Sequence, residues 1–130
     1  MRDKPGGAEL LKLARKILRE QLLEHIPAQK KYSALMVANT MAIAARQFEF
    51  GDARERDELS RIAAILGEKI DPASSTEVQT ALETCYRKLS ADIREGKVGP
   101  GSANFEAVSE LLHDQAKQKV RESNPGYLDE

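Results

Sequence analysis

Residues 32–50, YSALMVANTMAIAARQFEF, constrain this chain more than any other stretch. A helix built from them is apolar on nearly every side, with Asn39 and Arg46 set inside the pattern. In a globular protein a helix that lacks a solvent face is normally buried. The stretch is therefore expected to be the enclosed second helix of a small helical domain, with other helices on all its flanks.

The remaining 3.6-residue periodicity supports four more helices and no strand. The first is expected over about Gly7 to His25, with Leu10, Leu13, Ala14, Ile17 and Gln21 on its inward stripe and Leu11, Leu18 and Leu22 at the edge. Pro27 ends it, because a residue before proline leaves the α region. The second helix starts at Ala28 or Lys31 and runs to Phe50, with Gly51 as its left-handed exit. Asp52 and Glu55 suggest a capping box for a third helix that ends at Gly67. Ser74 and Glu77 suggest another for the fourth, whose Val78, Leu82, Cys85, Tyr86, Leu89 and Ile93 repeat at the spacing of one helix face. Asn104 is placed to cap a fifth helix that turns Phe105, Val108, Leu112, Ala116 and Val120 inward. Short connections favour antiparallel neighbours. The expectation is all-α, an antiparallel bundle of about five helices with a buried second helix, forming a single helical domain over residues 1–130.

Composition narrows the function classes. At 130 residues the chain suits one domain that buries roughly two-thirds of its unfolded surface. Twenty basic against 21 acidic residues give a net charge of −1. No basic block occurs, which argues against a nucleic-acid interface, since phosphate neutralisation needs clustered Lys and Arg. No apolar run reaches the length of a membrane span. The opening MRDKPGG lacks the apolar core of a secretory signal. Cys85, the only cysteine, leaves no partner for an intrachain disulfide. A soluble, cytoplasmic protein is expected.

Two candidate sites follow. Tyr32, Asn39 and Arg46 are spaced seven apart and so share one stripe of the second helix. A hairpin with the first helix brings Gln21 and His25 to the same side. These five residues either satisfy one another in the interior or line a polar groove for a small molecule. A buried Asn needs hydrogen-bond partners and a buried Arg needs an acid. The second candidate is a partner-binding surface. It draws on Arg54, Arg56 and Arg61 of the charged run opening the third helix, which is otherwise a solvated face. It also draws on Tyr127 and Leu128 of the tail. Tyr127 either folds back over the core or docks on a partner.

Other features point away from chemistry. Glu110 and His113 have the Glu-x-x-His spacing of di-iron bundles, but such bundles need two pairs and further carboxylates. Cys85 falls on an inward face and reads as an inert core thiol. The glycine-rich loop GKVGPGS follows no strand and is a connector rather than a phosphate-binding loop. No nucleophile has a base beside it, so catalysis is not expected, and neither a cofactor nor a metal is implied.

The segment VANTMAIAAR, the Phe48 to Gly51 exit, the opening Pro5 to Leu11 and the closing Asn124, Pro125, Gly126, Tyr127 and Leu128 resemble an uncharacterised family of short bacterial all-helical proteins. That family carries an Asn in an alanine-rich second helix, then an Arg, and closes on Asn-Pro-x-Tyr-Leu. Here Asn39, Arg46, Asn124, Pro125 and Tyr127 match it. Its members are often encoded near aminoglycoside-phosphotransferase-like kinases and acyl-CoA dehydrogenase-like enzymes. That family has no established activity, so no catalytic residue carries over from it. The missing catalytic constellation, the complete helical framework and the resemblance together lead to the expectation of a non-catalytic bacterial accessory or interaction protein. Its partner is expected to be another protein, such as a kinase-like phosphotransferase, with self-association into a homo-oligomer also open. The alternative is a small-molecule binding domain using the polar groove on the second helix.

Overall fold

A computed structural model describes residues 4–128. Among them the fold is all-α, with five helices and no strand. The order is α1 (Gly7–Ile17), α2 (Ala28–Phe50), α3 (Ala53–Leu66), α4 (Ser75–Arg94) and α5 (Phe105–Ser123). A π turn, Leu18–Leu22, and a 3₁₀ turn, Leu23–His25, follow α1, and a 3₁₀ turn, Pro125–Leu128, closes the described chain. The chain divides into two compact units, Met1–Gly51 and Asp52–Glu130.

The first unit is a helical hairpin. The Gly6 N–H donates to the Glu9 carboxylate at 2.8 Å, satisfying one of the orphan donors at the start of α1. The expected single first helix gives way to π and 3₁₀ turns after Ile17. Ile26, held extended (ψ 131°) before Pro27, completes the reversal. Helix α2 then returns alongside α1. Lys12 pairs with Glu49, and a Cβ placed on Gly7 would lie 3.5 Å from the Phe48 ring.

The hairpin corrects the expectation of an enclosed second helix. In α2 only Ala38 and Ala45 are buried. With Ala34 and Ala42 they form a stripe of small side chains that lets the facing helix approach closely. Off that stripe, Ile43, Arg46 and Phe50 are half-buried. Tyr32, at 75% exposure, and Leu35, Met36, Val37 and Phe48 remain open. On α1 the contact stripe is also not the expected one. Ala8, Leu11, Arg15 and Leu18 are half-buried, whereas Leu10, Leu13, Ala14 and Ile17 are exposed. Arg15 enters that contact with its Nε buried and unpartnered among the described residues.

The second unit holds a conventional core. Leu59, Ile62, Val78, Leu82, Cys85, Leu89, Val108 and Leu111 form one buried cluster from α3, α4 and α5. The α4 face matches its pattern at Val78, Leu82, Cys85 and Leu89. Tyr86 is half-buried and Ile93 exposed. In α5 the inward face is rotated from expectation. Leu111 is buried, while Phe105, Leu112 and Ala116 are exposed. Ser74 caps α4 by accepting the Glu77 N–H at 3.2 Å, and the Glu77 carboxylate accepts the Ala73 N–H at 2.8 Å. No such box forms at α3. The Asp52 carboxylate is taken instead by the Ser75 hydroxyl at 2.7 Å and Arg56 at 3.0 Å. Those bonds hold it below the usual carboxylate range, the Ser75 hydrogen bond contributing most. Gly67 closes α3 in the left-handed region, with the Glu68 N–H bonded to the Ala63 carbonyl at 2.9 Å.

Two stability outcomes follow. Ile62→Ala empties a fully buried site and is expected to destabilise by about 2–5 kcal/mol in denaturant unfolding. Arg15→Met removes the buried, unpartnered Nε and is expected to stabilise by about 1 kcal/mol on the same assay.

Candidate functional site

The five residues of the expected polar groove all lie in the hairpin, but on its surface. Gln21 is exposed in the π turn. His25 is exposed in the 3₁₀ turn, 3.2 Å from the Glu24 carboxylate. Tyr32 and Asn39 are exposed on α2, and Arg46 is half-buried. Counting about 100° per residue from Ala38, the Tyr32, Asn39 and Arg46 stripe lies on a flank of α2, roughly a quarter-turn from the stripe facing α1. Asn39 is therefore hydrated rather than buried. Gln21, His25, Tyr32 and Asn39 thus stand on the surface, and Arg46 alone of the five is partly covered.

The second unit assembles a different surface. Where α3 and α5 run side by side, a cleft of about 450 Å³ is lined by Arg54, Arg61, Lys117 and Arg121, with the buried Leu111 as floor. Asp57 and Asp114 line it too, and Asp114 accepts from Arg61 at 3.0 Å. With Arg61 neutralised, the cationic surplus lies toward the C-terminal end of α5. There Lys117 and Arg121 also wall a smaller cleft of about 370 Å³ with Pro125 and Leu128.

Three of the five residues expected to bind a partner are thus joined on one surface. Arg61 pairs with Asp114 partway along, and the antiparallel run of α3 against α5 brings Arg54 toward the Lys117 and Arg121 end, where Leu128 lies. The joining residues, Lys117 and Arg121, are four apart on α5 and share a face. That spacing was visible in the sequence but had no meaning until the tail was placed beside it. Arg56 does not join them. It turns to Asp52 and donates to the Pro72 carbonyl at 3.0 Å. Tyr127 does not fold back over the core. The 3₁₀ turn leaves its ring 66% exposed.

A third arrangement gave no sequence signal. The Glu58 carboxylate accepts from the Tyr86 hydroxyl at 2.5 Å and from Gln115 Nε2 at 2.9 Å, tying α3 to α4 and α5. Burial, then the bond to Glu58, pushes the Tyr86 phenol far above its ordinary range. A shallow cleft of about 760 Å³ opens beside this cluster, with Arg87, Arg94 and Lys119 on its walls. Glu55 nearby is raised above the usual carboxylate range, first by burial and then by Glu122, Glu58 and Asp52. Cys85 is buried, and burial raises its thiol pKa. Glu110 and His113 are exposed on α5. Among the described residues no helix is long and apolar enough to cross a membrane, and no cluster of three metal-ligating side chains occurs.

The shift at Glu55 sets a pH signature. A raised folded-state value means that Glu55 favours folding when protonated and loses that contribution as pH rises through it. Glu55→Gln is expected to raise the thermal midpoint at pH 7. The gain should vanish once pH falls well below the ordinary carboxyl value of 4.5. A gain that is constant across this range contradicts the assignment. Cys85 is expected to react with a thiol reagent only as fast as the second unit opens.

A family model for a domain of unknown function, DUF6285, matches residues 24–127. The match takes in α2 to α5 and the tail as far as Tyr127, whereas α1 precedes it. Searches of curated proteins and of solved structures give no match. With four-fifths of its length under that model, the chain belongs to the DUF6285 family.

Proposed function

We propose that this protein is a non-catalytic accessory protein that binds an acidic segment of another protein in the cleft between α3 and α5. The observation that carries this reading is the cationic end of that cleft. Lys117 and Arg121 stand over it without an ion pair among the described residues, next to the apolar shelf of Pro125 and Leu128. A segment that presents carboxylates to the two cations and an apolar side chain to Leu128 matches both ends. Charged rims of this kind set partner choice and association rate more than raw affinity. The absence of catalysis is supported by the buried state of Cys85 and by the exposed positions of His25 and His113 on different elements. The family resemblance suggests a phosphotransferase-like enzyme as the partner, and a bacterial cytoplasm as the setting.

The test is recovery of the tagged protein from its native cells, with cross-linking and identification of whatever is stoichiometric with it. A partner held through an acidic segment is expected. Its binding should weaken by at least about tenfold in Lys117→Glu/Arg121→Glu and fall as salt shortens the screening length. Failure to recover a stoichiometric protein, or retention of one by the double variant, overturns the reading.

A further inference from the structure

We infer that one edge of the α1–α2 hairpin is a self-association surface, on which the hairpin of a second copy of this chain lies to complete a four-helix bundle. Two contacts define the edges. Lys12 paired with Glu49 marks one, and Gly7 packed on the Phe48 ring marks the other. In an antiparallel pair, about 100° of rotation per residue then places Leu10 and Ile17 of α1 on the same edge as Val37 and Phe48 of α2, whereas Leu13 turns directly away from α2. The four on that edge are between 37% and 64% exposed. They form one apolar surface across both helices rather than scattered single side chains.

Area and charge both suit a second copy. The open parts of these four side chains, together with Ala14, Met41 and Ala44 between them, amount to on the order of 400 Å² of apolar surface, close to the apolar share of the roughly 800 Å² that one partner contributes to an interface of ordinary size. A patch of that extent is as large as the largest on a typical monomer, which is often functional. Between Leu10 and Val37 the edge otherwise carries only Thr40, whose hydroxyl donates to the Met36 carbonyl, so no charge there selects a different partner. Lys12, Lys16 and Arg46 fall on the opposite edge by the same helical count. Two copies related by a two-fold axis thus meet apolar edge to apolar edge without opposing their cations. The product is the four-helix arrangement in which antiparallel hairpins bury such seams. This surface is distinct from the α3–α5 cleft, so either assignment stands without the other.

The experiment is light scattering on the full chain over a wide concentration range. The expected mass is twice 14.4 kDa. Leu10→Glu and, separately, Val37→Glu put a carboxylate into the seam. Each is expected to weaken the dimer by at least about 100-fold, because an unpaired charge is costly to bury. Each should keep the helical circular dichroism of the parent, since both sites are solvent-facing in the single chain. Met36→Glu lies on the far side of α2 and is expected to leave the dimer intact. A mass of 14.4 kDa at every concentration overturns the inference. So does a dimer unaffected by both seam variants. A monomer whose Leu10→Glu form loses thermal stability also overturns it and assigns the cover of this edge to the same chain.

Discussion

A helix has several sides, and one neighbour covers only one of them. That constraint governs the first unit of this protein. Helix α2 is apolar around most of its circumference, yet along its middle α1 meets it at the alanines at 34, 38, 42 and 45, with Phe48 and Glu49 contacting Gly7 and Lys12 at the end. Alanine contacts bring the helices close but bury little area, so the hairpin gains only a modest share of the hydrophobic free energy its composition offers. The larger side chains, Leu35, Val37 and Phe48 among them, are left on open flanks. Contiguous apolar surface of this kind is where proteins commonly bind something else.

The second unit resolves the same problem differently. Three helices share one cluster centred on Ile62, Val78 and Cys85, each fully enclosed. Polar groups span the seams rather than the centre. Glu58 receives Tyr86 and Gln115, and Asp52 receives Ser75 and Arg56. These bonds fix the positions of α3, α4 and α5 without placing a charge in the core. The cleft between α3 and α5 is a consequence of that spacing. It is floored by Leu111, and its free cations sit where the chain leaves α5 for the tail.

Local pattern gave the helices and much of the second core, because a 3.6-residue repeat such as Val78 to Leu89 reports directly on one face. Ser74 declared its cap for a similar reason, since a cap is settled within four residues. What periodicity cannot report is whether a neighbour arrives. Residues 32–50 have the composition of a buried helix, but burial is a property of the partner as well, and here only Ala38 and Ala45 are fully buried. The stripes on α1 show the same ambiguity. Leu10–Ile17 and Leu11–Leu18 are both apolar, and the ion pair of Lys12 with Glu49, 37 positions away, settles which one faces α2. Asp52 had every local feature of a cap and was drawn off by Ser75, 23 positions on. The site residues divide likewise. Arg54, Arg61 and Leu128 were visible as exposed charge and tail. Lys117 and Arg121 gain their role only from the tail beside them, and Glu58, Tyr86 and Gln115 only from the packing of three helices.

The claim on which this account rests is that α2 is fully buried only along its alanine stripe and keeps Tyr32, Met36 and Val37 open to solvent. Side-chain footprinting by hydroxyl radicals, read by mass spectrometry, tests it most directly. Tyr32 and Met36 are expected to be modified at the rates of solvent-exposed residues, while Leu59 and Leu111 stay protected. Protection of Tyr32 and Met36 equal to that of the core leucines would show α2 enclosed on every side and contradict the account.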